Sequence, residues 1–121
     1  MDILVTAEDV KNETGIDLSK ALGKEGQLVN KWIERQQRAI LNHIAKYAYG
    51  GIEQAETYVR YPVTAQIIKQ ALLEQIDFLA HNNFIDASEI ANKEVANNTR
   101  NIAPLAHDIL LNGGLLYTGA Y

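Results

Sequence analysis

The sequence predicts an all-α fold: a small helical domain with two long central antiparallel helices, short N-terminal and C-terminal helices, and an extended C-terminal tail. Three observations predict it. Apolar residues recur at helical spacing over two long stretches. Glycine pairs and prolines stand where those helices stop and start. The chain has 121 residues, 47% hydrophobic and 21% charged, which is the size and composition of one globular domain spanning 1–121. A chain of this length buries roughly two-thirds of the surface its unfolded form exposes, enough for a real core.

The elements follow in order. Thr6 caps a short first helix, with Asp9 three residues on, Val10 on the buried side and Gly15 as the stop. Gly23 and Gly26 bracket a linker. The second helix runs from Gln27 to Tyr47, where Val29, Ile33, Ile40 and Ile44 make a stripe at gaps of four, seven and four. Leu28, Trp32, Ala39 and Ala48 widen that stripe, and Gly50-Gly51 ends the helix. Ile52 to Tyr61 reads ambiguously, with Tyr58 to Tyr61 open to an extended conformation before Pro62. Pro62 opens a third helix running to His81, because its missing N–H has no intrahelical partner in the first turn. Ile68, Leu72, Ile76 and Leu79 form one apolar line on it, and Ile67, Ala71 and Phe78 a second. A helix apolar on two sides is internal or packs on a neighbouring subunit. Residues 86–103 have little to bury and read as a mobile loop or an arm that orders on a partner. Pro104 opens a fourth helix with Leu105, Ile109 and Leu110 apolar, stopped by Gly113-Gly114. Residues 113–121 are apolar to the last residue, unlike most free termini, and are expected to dock on something.

Composition excludes several classes. With no cysteine there is no disulfide, thiolate metal site or cysteine nucleophile. The net charge of −4 argues against nucleic-acid binding through bulk charge and leaves only a local patch. The acidic start and the short run Ile3-Leu4-Val5 do not make a signal peptide. No run of apolar residues is long enough to span a bilayer. The triplets Asn12-Glu13-Thr14 and Asn97-Asn98-Thr99 match a glycosylation acceptor but lack an export signal, so a cytoplasmic site of assembly is expected.

The chemistry-bearing residues are few. Glu74, Asp77 and His81 share one face of the third helix, a pattern that could hold a hard metal or run acid–base work but that reads more simply as a solvated face. No serine or threonine lies in a nucleophile motif. The glycine pairs follow helices and are stops, not phosphate cradles. Residues 6–23 have the rhythm of a helix-turn-helix, but only Lys20 is basic between Asp17 and Gly23. Lys31, Glu34, Arg35, Arg38 and Lys46 lie opposite the apolar stripe of the second helix. Lys31, Arg35 and Arg38 suit a basic row, but with Glu34 among them a solvated face is the simpler reading. Tyr47, Tyr49, Tyr58, Tyr61, Tyr117 and Tyr121 gather near helix ends and loops, where a tyrosine serves either the core edge or an interface.

Three phrases together resemble the small helical head–tail connector (adaptor, head-completion) proteins of long-tailed double-stranded DNA bacteriophages. They are Thr6-Ala7-Glu8-Asp9-Val10-Lys11, the stretch Ile67 to Asn83 (IIKQALLEQIDFLAHNN), and the stretch Ile102 to Gly119 (IAPLAHDILLNGGLLYTG). They span nearly the whole chain in the family's order, and residues 86–101 fit least well. The resemblance implies a structural virion protein rather than an enzyme, with no catalytic residue, cofactor or metal. Family members add beneath the portal as a dodecameric ring, extend the DNA channel, and present a docking surface to the next head-completion or tail protein. DNA passes through without sequence-specific binding, and no membrane is involved. On this chain the resemblance implies portal docking through Leu115, Leu116, Tyr117 and Tyr121, and ring contacts through Ile67, Ala71 and Phe78. The alternative expectation is a small helix-turn-helix DNA-binding regulator using residues 6–23.

Overall fold

A computed structural model describes residues 3–23, 25–81 and 102–116. Six helices are present among them: α1 (Ala7–Thr14), α2 (Leu18–Leu22), α3 (Gln27–Ala45), α4 (Gly51–Tyr58), α5 (Pro62–His81) and α6 (Pro104–Asn112). There is no strand among the described residues, as the all-α expectation requires. The two long helices are α3 and α5, which pack on each other; α6 lies chiefly on α5, α4 on α3, and α1 against both long helices.

Helix starts and stops follow local chemistry. The Thr6 hydroxyl accepts from the Asp9 backbone N–H at 3.2 Å, and the Asp9 carboxylate accepts from the Thr6 N–H at 3.0 Å. This reciprocal capping box satisfies donors that the first turn leaves without intrahelical partners. Gly15 closes α1 at φ 78°, in the left-handed region open to glycine.

The apolar stripes are the core. Val29, Ile33, Ile40 and Ile44 of α3 are buried with Ile68, Leu72, Ile76 and Leu79 of α5. The stripe on α3 is not apolar throughout. Gln36 and Gln37 are buried inside its seven-residue gap, and Gln75 is buried on the facing side of α5. Gln75 Nε2 donates to Gln36 Oε1 at 3.3 Å, and Gln75 Oε1 accepts from the Ala103 backbone N–H at 2.6 Å. The Leu4 backbone N–H donates to Gln37 Oε1 at 2.7 Å. These amides tie the long helices to one another, to the N-terminal segment and to the start of α6.

Several expectations need correction. Leu28, assigned to the α3 stripe, is 55% exposed. Of the ambiguous stretch Ile52 to Tyr61, the part to Tyr58 is helical as α4, and Val59 and Arg60 form a turn rather than an extended segment. Only Ala55 of α4 is buried, so no apolar stripe announces it. Its first turn is held instead by Gln54, whose Oε1 accepts from the Gly50 N–H at 2.8 Å. On α6 the buried residues are Ala106, His107 and Leu110, whereas Leu105 is exposed. The proposed arm ends earlier than 103, since Ile102 and Ala103 are buried in the core; its residues 86–101 lie outside the described residues.

The largest correction concerns the tail. Gly114, at φ 80°, reverses the chain after α6. The Leu115 N–H then donates to the Leu110 carbonyl at 3.0 Å, and the Gly114 N–H to the Leu111 carbonyl at 3.1 Å. This is the paired bonding of a Schellman motif, which turns the next side chain back toward the helix. Leu115 and Leu116 consequently fill this chain's own core rather than standing out for a partner. One close approach accompanies the turn. A Cβ on Gly113 would lie 2.7 Å from Ile67 Cγ2. Gly113 has an ordinary negative φ of −79°, so the conflict is one of space and not of backbone strain. Gly113→Ala is expected to cost about 1–3 kcal/mol by overpacking, read as a lower midpoint in urea unfolding.

Candidate functional site

The sequence offered five constellations, and the structure sorts them. On α5, His81 Nδ1 meets the Asp77 carbonyl oxygen at 2.8 Å and lies 3.5 Å from its carboxylate. Both side chains are open to water, and no group of three metal-ligating residues converges among the described residues. This is a solvated helix face ending in an imidazole.

The helix-turn-helix rhythm folds as two helices, but α2 has only five residues. Leu18 is buried, the Asp17 carboxylate caps the helix by accepting from the Lys20 N–H, and Lys20 is the one cation it exposes. That leaves the element little with which to read a groove.

The second apolar line of α5 is largely covered from within. Ala71 is fully buried, and Ile67 and Phe78 are half-buried against the core. The neighbour at Ile67 is Gly113, at the end of α6. Ala71 is thus a core residue and not a contact for another subunit; only the outer parts of Ile67 and Phe78 remain available. Of the four expected docking residues, Leu115 and Leu116 are interior, and Tyr117 and Tyr121 lie outside the described residues.

The remaining constellation is the polar face of α3, to which the structure adds Asn42. Lys31, Arg35, Arg38, Asn42 and Lys46 are all exposed and advance along α3 by steps of four, three, four and four. Such steps keep them on one face. Lys31, Glu34, Arg35 and Arg38 line an open hollow of about 340 Å³. Arg35 and Arg38 continue into a second, of about 190 Å³, with Ala39, Asn42, Lys46 and an edge of His43. Glu34 is the one carboxylate in either lining, 3.3 Å from the Arg38 guanidinium. An exposed pair of this kind is held by about 1 kcal/mol or less, so Arg38 can exchange it for another anion.

Beneath the second hollow lies a feature that the sequence reading missed. His43 Nε2 and His107 Nδ1 are 2.8 Å apart, both rings buried, one donating and the other accepting. The Tyr47 ring stands edge-on to His43 with centroids 5.5 Å apart. The pair joins α3 to α6. Its only sequence signal is position: His43 adjoins Ile44 in the α3 stripe, and His107 lies between Ala106 and Leu110 on the buried side of α6.

Comparison of the chain with protein-family models, with curated proteins and with solved structures finds no match.

Proposed function

We propose that the chain is a head–tail connector of a long-tailed double-stranded DNA bacteriophage, an adaptor that forms a ring beneath the portal and carries no catalytic site. One observation supports this reading above the others. The three phrases that carry the resemblance fall on α1, α5 and α6, and these helices form one packed unit centred on α5. The likeness therefore covers a contiguous part of the fold rather than scattered segments.

The surface is consistent with an assembly role. Tyr61 and Val63, at the start of α5, are 60% and 75% exposed, and Leu105 and Leu111 of α6 are also exposed. Apolar side chains at two separate places suit a ring, whose head-to-tail contacts use two different patches per subunit. With Leu115 and Leu116 interior, docking on the portal is assigned to the exposed side of α6 together with the chain beyond Leu116. No helix among the described residues is long and apolar enough to cross a membrane.

The test is to mix the purified chain with the portal ring encoded in the same genome and image the product by electron microscopy. The expected result is an added ring of density on one end of the portal. Two folded components that form no complex over a wide concentration range would defeat the reading. A monomer in solution is compatible with it, because ring formation on the portal platform does not require self-association beforehand.

A further inference from the structure

We propose that the exposed face of α3 binds the phosphate backbone of duplex DNA without reading its sequence. The inference does not rest on ring formation, since the face is complete in a single chain.

The argument begins with charge. The chain carries 11 Lys and Arg against 15 Asp and Glu. Residues 27–46 hold four of those cations and one carboxylate, a local charge of +3, which leaves −7 for the remainder. Which sum a polyanion meets depends on range. At physiological salt, charges beyond about 8 Å are largely screened. Lys31 and Lys46 are about 22 Å apart along the helix axis at 1.5 Å per residue. A duplex lying along this span meets the local +3 at contact range.

The chemistry of the lining points to phosphate rather than to an acidic protein. Arg35 and Arg38 present planar forks suited to paired hydrogen bonds with phosphate oxygens, Lys31 and Lys46 supply point charges, and the Asn42 amide adds donors. A protein-docking site of this size would centre on a buried aromatic or aliphatic anchor. Here the only apolar side chain in either hollow is Ala39. Among the large exposed apolar residues, Tyr49, Tyr61, Val63, Leu105 and Leu111 line neither hollow, and Leu28, 55% exposed and three residues before Lys31 on this face, lies outside both. An open, cationic strip whose hollows hold no apolar anchor fits a ligand that is itself a regular row of anions.

The experiment is fluorescence anisotropy of a labelled random-sequence duplex titrated with the full chain. With about three phosphate contacts, the association constant is expected to fall about fortyfold between 50 and 200 mM salt. Arg35→Glu with Arg38→Glu is expected to weaken binding at least tenfold at the lower salt and to flatten the salt slope to about −1. Lys20→Glu, on the exposed side of α2, is expected to leave both unchanged. Arg35→Gln with Arg38→Gln serves if the charge reversal fails to fold by circular dichroism. Absence of saturable binding at 50 mM salt would overturn the proposal. Loss on Lys20→Glu without loss on the α3 variants would overturn it in favour of α2. Binding of labelled polyglutamate but not of the duplex would overturn it in favour of an acidic protein partner.

Discussion

Leu115→Ala combined with Leu116→Ala is expected to destabilise the domain by about 3–6 kcal/mol, at about 1.5–3 kcal/mol for each buried leucine. Each side chain is only 5% exposed and belongs to the core cluster of the described residues. Domains of ordinary stability hold about 5–15 kcal/mol in total, so this pair supplies a large fraction. The loss is read from the midpoint of denaturant unfolding by circular dichroism. A chain ending at Asn112 is expected to lose at least as much, because it forfeits both leucines and the two backbone bonds of the Schellman turn. An unchanged midpoint in both variants would return the leucines to the surface and restore the docking role expected from the sequence. The distinction bears on assembly experiments: a tail variant that fails to join a portal has first to be shown to fold.

Gln75→Leu is expected to cost about 2–5 kcal/mol despite its larger apolar surface. Gln75 is 1% exposed, and its carbonyl oxygen is the recorded acceptor of the Ala103 N–H, itself buried. Removing one partner from a buried hydrogen bond leaves the other to bear its full desolvation, about 1–3 kcal/mol for each group. Ala103 N–H and Gln36 Oε1 are both left in that state. Adding Gln36→Leu is expected to restore part of the loss, since the facing amide is then removed too. A double-mutant cycle over these two positions therefore shows a coupling of about 1 kcal/mol or more by urea unfolding. Strict additivity would mean that the Gln36–Gln75 contact contributes nothing.

The parts of the fold legible in the sequence were those written in hydropathy and capping. The lines on α3 and α5, the Thr6–Asp9 box, the Gly15 stop and the proline starts were all readable because each depends on residues close together in the chain. The parts that were not legible have another origin. Helix α4 buries one residue and so writes no periodic signal, whereas α2, barely more than a turn, was legible only as the second part of the helix-turn-helix rhythm. Gln36, Gln37, Gln75, His43 and His107 sit at buried register, yet a polar residue scores as exposed unless its distant partner is known. Leu115 and Leu116 misled for the same reason: apolar residues after a helix stop seek a cover, and only the left-handed turn at Gly114 shows that their cover is their own chain. At the candidate site, Lys31, Arg35 and Arg38 were legible as a row. Lys46 was legible on the same polar face; the place of Asn42 among these residues, and the concavity of the face, required the helix itself.

The seating of α6 has a consequence for how the molecule is held together. The Gln75–Ala103 bond, the His43–His107 contact and the burial of Leu110 and Leu115 all join α6 to parts of the chain at least 21 residues before it, across residues 82–101. None of these attachments needs the connecting peptide to be intact. Covalent linkage by itself holds α6 at a high effective concentration beside α5. In that sense α6 is a ligand that the protein carries for itself. A break in the chain between them would weaken its seating by mass action, leaving the complementarity of the two surfaces unchanged.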